Sequence, residues 1–226
     1  MTFGIKRIVD LSHPINADTQ CYPGDPVPEL RSATTIDRDG YNVLQVSMGS
    51  QTGTHVDAPY HFLADGARID AMELSMFLAP ATVVDVRGLA PRSTISWSQL
   101  EPSVSMMAGQ SILVLNTGWS KNWQTVAYLD HPFLTQDAAE GIVAAGIRTV
   151  AIDAMSVDET APPGGEPGSF AAHDVLLGAG GAIVENLTNV EAIDFADPLL
   201  SVLPIRLADA DGAPVRAVAL QLEWSA

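Results

Sequence analysis

The chain has 226 residues, of which 47% are hydrophobic and 17% charged, a composition that supports a folded core and excludes a disordered chain. Its 11 basic and 27 acidic side chains give a formal net charge of −16, a field that repels phosphate backbones and anionic lipid surfaces. Nucleic-acid and membrane partners are therefore excluded from our expectations, and a small-molecule substrate is the expected partner.

The first residues lead directly into a strand-like Ile8-Val9 without the apolar core of a signal peptide. No apolar run approaches the roughly 20 residues that span a bilayer. The single cysteine, Cys21, cannot form an intrachain disulfide. Together these point to a soluble protein of the reducing cytoplasm. Further along, Tyr22-Pro23-Gly24-Asp25-Pro26 reads as a turn. Apolar and β-branched runs predict strands at Val43–Met48, Thr82–Val86, Ile112–Leu115, Thr149–Ile152, Ala182–Val184 and Val215–Leu222. Between the third and fourth, a helix is predicted from Thr135 to Ala145, with Thr135 as N-cap, Asp137 near its positive end and Gly146 as its stop. That strand-helix-strand order is the pattern of a crossover. A second helix is predicted from Ser169 to Leu177, ending at Gly178. The glycine- and proline-rich segment 161–168, with a lone Glu166, is either a surface loop or a lid over a site. Without repeats or long linkers, the expectation is a single domain over residues 1–226, of mixed, sheet-rich α/β class.

Chemistry concentrates between residues 51 and 61, Gln-Thr-Gly-Thr-His-Val-Asp-Ala-Pro-Tyr-His, which hold two of the five histidines. His55 and Asp57 are two apart, so an extended segment projects both side chains from one face. Imidazole nitrogen beside carboxylate oxygen suits a divalent ion such as zinc or manganese. Two later residues share this character. His173 lies on an otherwise apolar helix, and Glu185 follows Ala182-Ile183-Val184 in a run of strand-core residues. A carboxylate in such a place costs several kcal/mol unless a cation or hydrogen-bond donors compensate it. Taken singly, His173 reads as a hydrogen-bonded packing residue and Glu185 as evenly balanced between a ligand and an outward-pointing edge residue. Alongside His55 and Asp57 the metal reading gains weight.

These residues carry a resemblance. Residues 51–61 resemble the H-x-G-T-H-x-D-x-P-x-H signature of the cyclase family of metal-dependent hydrolases, which includes kynurenine formamidases (arylformamidases) and isatin hydrolases. Asp10-Leu11-Ser12, Tyr22-Pro23-Gly24-Asp25, Asn116-Thr117-Gly118-Trp119, Ile152 to Asp158, His173 to Leu187, and Asp211 to Ala217 extend the likeness over most of the chain. The resemblance implies a swivelling β/β/α domain, assembled as a homodimer or homotetramer. It also implies one or two divalent ions held by His55, Asp57, His173 and Glu185, with His61 as proton acceptor and donor. Tyr22 stands where formamidases usually carry a substrate-contacting Trp, and is the implied substrate-binding residue. The sequence departs from the signature at its first histidine, which is Gln51 here. Gln51 is then a ligand to an oxygen-tolerant ion such as manganese, a residue behind the ligands, or the mark of a single remaining metal site.

The implied activity is hydrolysis of a small amide, foremost an N-formyl aryl amide of the kind met in tryptophan catabolism. Isatin-type ring opening or a cyclase/dehydratase reaction is the alternative within the family. A non-catalytic small-molecule binding protein with a degenerate metal site is the alternative from another class. No G-x-S-x-G elbow, P-loop or G-x-G-x-x-G motif is present, which disfavours serine-nucleophile and nucleotide chemistry. His13 and His131 each precede proline and read as turn residues. Trp97, Trp119, Trp123 and Trp224 read as packing residues, with Trp119 a possible pocket wall.

Overall fold

The computed structural model describes residues 2–104, 107, 112–161, 165 and 168–225. In chain order the elements are β1 (Thr2–Asp10), β2 (Glu29–Thr34), α1 (Ile36–Asp39), β3 (Val43–Ser47), β4 (His55–Asp57), β5 (Leu78–Asp85), β6 (Thr94–Ile95) and α2 (Trp97–Val104). There follow β7 (Ile112–Asn116), β8 (Phe133–Leu134), α3 (Gln136–Ala144), β9 (Thr149–Ile152), α4 (Ala171–Gly178), β10 (Ala182–Glu185), β11 (Leu199–Ser201), β12 (Gly212–Pro214) and β13 (Val218–Ser225). Nine strands form one mixed sheet in the order β1-β13-β11-β5-β7-β9-β10-β4-β12, with β2-β3 and β6-β8 as separate pairs.

The centre of the sheet explains why its strands were legible. β5, β7, β9 and β10 run parallel, and every residue of β7, β9 and β10 is buried. Parallel strands covered on both faces read as continuous apolar runs rather than alternating ones. Alternation decides only which face each residue joins. Leu113, Leu115, Val150, Ile152 and Ile183 pack under the helices, whereas Ile112, Val114, Ala151 and Val184 pack with Phe77, Leu187 and Leu200 on the other face. Helix α3 makes the β7-to-β9 connection, as expected. Thr135 caps it by accepting from the Ala138 N–H, and Gly146 follows its end with φ of 81°.

Some boundaries differ from the sequence reading. The last strand begins at Val218, because residues 215–217 are engaged elsewhere: the Val215 N–H donates to the Thr54 carbonyl and the Ala217 N–H to Ser12 Oγ. β5 begins earlier, at Leu78, and Pro80 does not interrupt it. The unanticipated β4 and β12 have three residues each, too short for any periodicity to register. Yet β4 carries His55 and Asp57, clamped between β10 and β12. No helix among the described residues is long and apolar enough to cross a membrane.

Candidate metal centre

Sheet register assembles three of the proposed ligands. In the antiparallel β4–β10 pair, Glu185 stands opposite His55 and Ile183 opposite Asp57. Opposed residues project from the same face, and so do residues two apart on one strand. His55, Asp57 and Glu185 therefore share the helix-covered face, where one ligand atom from each lies within 4.8 Å of the others. From above, α4 brings His173, whose Nε2 lies 3.6 Å from Asp57 Oδ2 and 3.6 Å from Glu185 Oε1. His55 Nε2 addresses the other oxygens, 3.3 Å from Asp57 Oδ1 and 3.6 Å from Glu185 Oε2. Each imidazole thus faces its own pair of oxygens on the same two carboxylates. All four residues are buried.

Hydrogen bonds behind the site decide which imidazole nitrogens are available. His55 Nδ1 lies 2.8 Å from the Gly53 carbonyl, which can only accept, so Nδ1 carries the proton. His173 Nδ1 lies 2.7 Å from Asp158 Oδ2, with the same consequence. Both histidines are left with an Nε2 lone pair aimed at the carboxylates, the arrangement in which an outer acceptor fixes the tautomer of a metal-binding imidazole. The Asp158 carboxylate also accepts from the backbone N–H groups of Ala172 and His173, each at 2.9 Å. One side chain therefore caps the start of α4 and orients the ring that α4 presents. Gly53 is held in turn by Asn186, whose Nδ2 donates to its carbonyl at 3.0 Å while Oδ1 accepts from Tyr128 at 2.9 Å.

Asp57 provides the fit test for a cation. It is fully buried, and neither of its carboxylate oxygens has a hydrogen-bond partner. A buried ionised carboxylate without donors is costly, and two Nε2 lone pairs beside it do not compensate. A divalent ion would satisfy both at once, and oxygen and nitrogen donors suit zinc or manganese. Without the ion, protons take its place. Burial opposes charge on His55 and His173, yet the neighbouring carboxylates raise their pKa values to about 9 and about 10. Burial, reinforced by Asp57, raises that of Glu185; burial also opposes charge on Asp57, but His55, His173 and His61 together outweigh it and hold Asp57 well below the usual carboxylate range.

The remaining expected residues line a cavity of about 240 Å³ over this cluster. His61 Nδ1 lies 3.1 Å from Asp211 Oδ2, so Nδ1 donates and Nε2 is the basic atom. Burial opposes a charge on His61, but the hydrogen bond to Asp211, together with the charges of Asp57 and Asp211, raises its pKa above the ordinary value. Gln51 supports this pair: its Nε2 donates to Asp211 Oδ2 at 2.8 Å, and its Oε1 is buried without a hydrogen bond. Tyr22 lines the cavity with a hydroxyl that makes no hydrogen bond of good geometry, the Ala161 N–H being only a marginal donor to it. Phe62 and Phe170 add an aromatic wall, Phe62 stacking on His173 with centroids 4.6 Å apart. Asp25, Asp158, Asn186 and Asp211 lie in segments that carry the family resemblance, yet the sequence alone assigns none of them to the site. Their partners are too distant along the chain for spacing to reveal. Trp119 is a core residue whose indole N–H donates to the Ala127 carbonyl, and His131 is buried against Thr160. Glu166 and most of the expected lid lie outside the described residues.

Comparison with known proteins agrees with this geometry. The family described as "Putative cyclase" matches residues 9–159. A kynurenine formamidase of Bacillus mycoides is 34% identical over 212 residues, covering 93% of this chain and 95% of its own. A second, from Bacillus cytotoxicus, is 30% identical over 211 residues with the same coverage. The crystal structure of an isatin hydrolase bound to the product analogue thioisatinate superposes with a TM-score of 0.85 at 22% identity, over 96% of this chain and 92% of that one. The mixed, sheet-rich fold implied by the sequence is the fold of these proteins, and the chain belongs to the cyclase family.

The protonation pattern generates a signed prediction. In metal-free protein, His55 and His173 have pKa values raised above the unfolded value of about 6.5, so their stabilisation is complete below that pH and is lost as pH rises toward about 9 to 10. Glu185, also raised, acts in the same direction from a lower starting pH. A bound divalent ion replaces those protons. Thermal unfolding of stripped and manganese- or zinc-loaded protein should therefore show a larger metal-induced rise in Tm at about pH 9 than at about pH 6. An equal rise at both would contradict this account.

Proposed function

We propose that this member of the cyclase family is a metal-dependent hydrolase of a small amide, foremost an N-formyl aryl amide, acting as a single domain. The observation that carries the reading is the Asp57 carboxylate, buried without a hydrogen bond and with the Nε2 atoms of two imidazoles 3.3 and 3.6 Å from its oxygens. Its relatives named kynurenine formamidase support the substrate class. The ligands are His55, Asp57, Glu185 and His173, with zinc or manganese in one or two positions. When bound, the ion supplies a Lewis acid for the carbonyl and brings the pKa of a coordinated water down toward about 7.

The chain's own residues supply the rest. Tyr22, Phe62 and Phe170 offer an aromatic wall for the aryl group, and the Tyr22 hydroxyl offers a hydrogen bond at the position where the family resemblance implies Trp. His61 takes the proton of the attacking water as the new C–O bond forms. It returns that proton to the amide nitrogen as the C–N bond breaks, releasing the aryl amine and formic acid, which gives up its own proton to solvent as formate. Asp211 holds Nδ1 protonated, so Nε2 does both transfers, and Gln51 steadies Asp211. Gln51 is thus assigned behind the ligands.

Assays with N-formylkynurenine and isatin on metal-loaded protein test the reading. Replacing His61→Ala should lower kcat roughly 10²–10⁴-fold with metal content unchanged. Asp211→Asn removes the interaction that raises the His61 pKa. The rising limb of the kcat/KM profile should therefore move to lower pH, because the base is freed of its proton earlier. Full activity in the His61 variant, or an unmoved limb in the Asp211 variant, would refute these roles. A protein that binds no divalent metal stoichiometrically, and that hydrolyses neither compound when zinc or manganese is added, is the binding protein of the alternative reading.

We further propose that the chain works as a homodimer or homotetramer in the cytoplasm, its free Cys21 suiting a reducing compartment. β2 and β3 form an isolated hairpin, marginal on its own, that exposes Val43, Leu44 and Val46. Leu44 and Val46 replaced together by serine should lower the oligomeric mass measured by light scattering. A wild-type chain that is monomeric at working concentration would exclude this assembly.

A further inference from the structure

One loop reaches two of the metal ligands from behind. The Val157 N–H donates to Glu185 Oε1 at 2.9 Å, and the Asp158 carboxylate fixes both the His173 ring and the start of α4. Residues 153–160 follow β9 without forming helix or strand, so no regular ladder holds these contacts in place. A ligand oriented by a loop is only as well placed as the loop itself. What holds the loop lies farther from the site. The Arg92 guanidinium spreads over it: Nε and Nη2 donate to Glu159 Oε1 at 3.1 and 2.7 Å, and Nη2 also donates to the Thr160 carbonyl at 3.0 Å. Its Nη1 donates to Asp130 Oδ1 at 3.2 Å. Beside it, His131 Nδ1 donates to the Pro132 carbonyl at 2.9 Å, which leaves Nε2 to accept from the Thr160 hydroxyl at 2.8 Å. Burial lowers the His131 pKa to about 4, so that acceptor is present at neutral pH.

The backbone at Arg92 carries a second sign of this role. Its φ is 57°, a left-handed conformation that a residue with a side chain adopts at a cost and keeps only where its surroundings over-determine it. Here its N–H donates to the Asp130 carbonyl at 2.8 Å while the side chain grips three residues. Arg92, His131 and Thr160 do not line the cavity.

We propose that Arg92 and His131 are positioning residues of the metal centre, clamping Glu159 and Thr160 so that Val157 and Asp158 present Glu185 and His173 to the ion. This role presupposes the metal-dependent hydrolase reading and extends it outward: neither residue touches the ion or the substrate, and both act through the loop.

Calorimetric titration of stripped protein with manganese, paired with the visible spectrum of cobalt-loaded protein, tests the clamp. Arg92→Asn removes the guanidinium with a residue that tolerates the left-handed backbone, and Thr160→Val removes the hydroxyl at nearly constant volume. Each should weaken manganese binding about tenfold and shift the cobalt bands, because the oriented ligands lose their backing. Thr160→Ser, which restores the hydroxyl, should restore affinity and spectrum. Arg7→Asn breaks a surface ion pair with Asp194 and should alter neither. If Arg92→Asn does not fold, the Thr160 pair decides. A lowered Tm with manganese affinity and cobalt bands unmoved would make the clamp purely structural and overturn the proposal, as would a Thr160→Ser variant no better than Thr160→Val. Wild-type protein that binds neither manganese nor cobalt would sink the metal-dependent reading and the clamp together; normal wild-type binding with unmoved variants would sink the clamp alone.

Discussion

A single carboxylate governs this structure. Asp57 ends β4, a strand flanked on both sides, and is fully buried with no hydrogen bond to either oxygen. Leaving an ionised group there costs far more than any one hydrogen bond returns, so the surroundings must bring positive charge to it. Two imidazoles are placed for that purpose, the tautomer of each set from behind, while a second carboxylate, Glu185, adds to the charge to be balanced. A proton or a cation completes the balance; an apolar repacking of the same space would not need His55, His173 or Glu185.

The supporting residues are used economically. Asp158 caps α4 and turns the His173 ring with the same carboxylate, so the helix cannot shift without disturbing the site. Asn186, in a left-handed conformation with φ of 58°, ties the end of β10 to Gly53 and through it to His55. Asp211, just before β12, reaches His61, Gln51 and Ser50. The two short strands β4 and β12 are thus less a source of sheet stability than a means of holding the site's side chains in register.

Much of this was legible in the sequence, for identifiable reasons. His55 and Asp57 are two apart on one strand, so local geometry alone placed them together. Glu185 and His173 announced themselves as polar residues in apolar surroundings, and the structure buries both beside Asp57. The parallel core was readable because its strands are uninterrupted apolar runs. What stayed hidden depends on contacts across the chain. Asp158 meets His173 from another segment, Asp211 meets His61 from the far end, and Asp25 reaches the cavity from a turn. Gln51 was equally ambiguous: its spacing matched a ligand, while its amide nitrogen is engaged by Asp211.

The most direct test of the central claim is an anomalous-scattering map from crystals grown with manganese or zinc. The account predicts the strongest peak beside the Asp57 carboxylate, within coordination distance of Glu185 and of Nε2 of His55 or His173. A strongest peak away from Asp57, or full occupancy in an Asp57→Asn crystal, would contradict it.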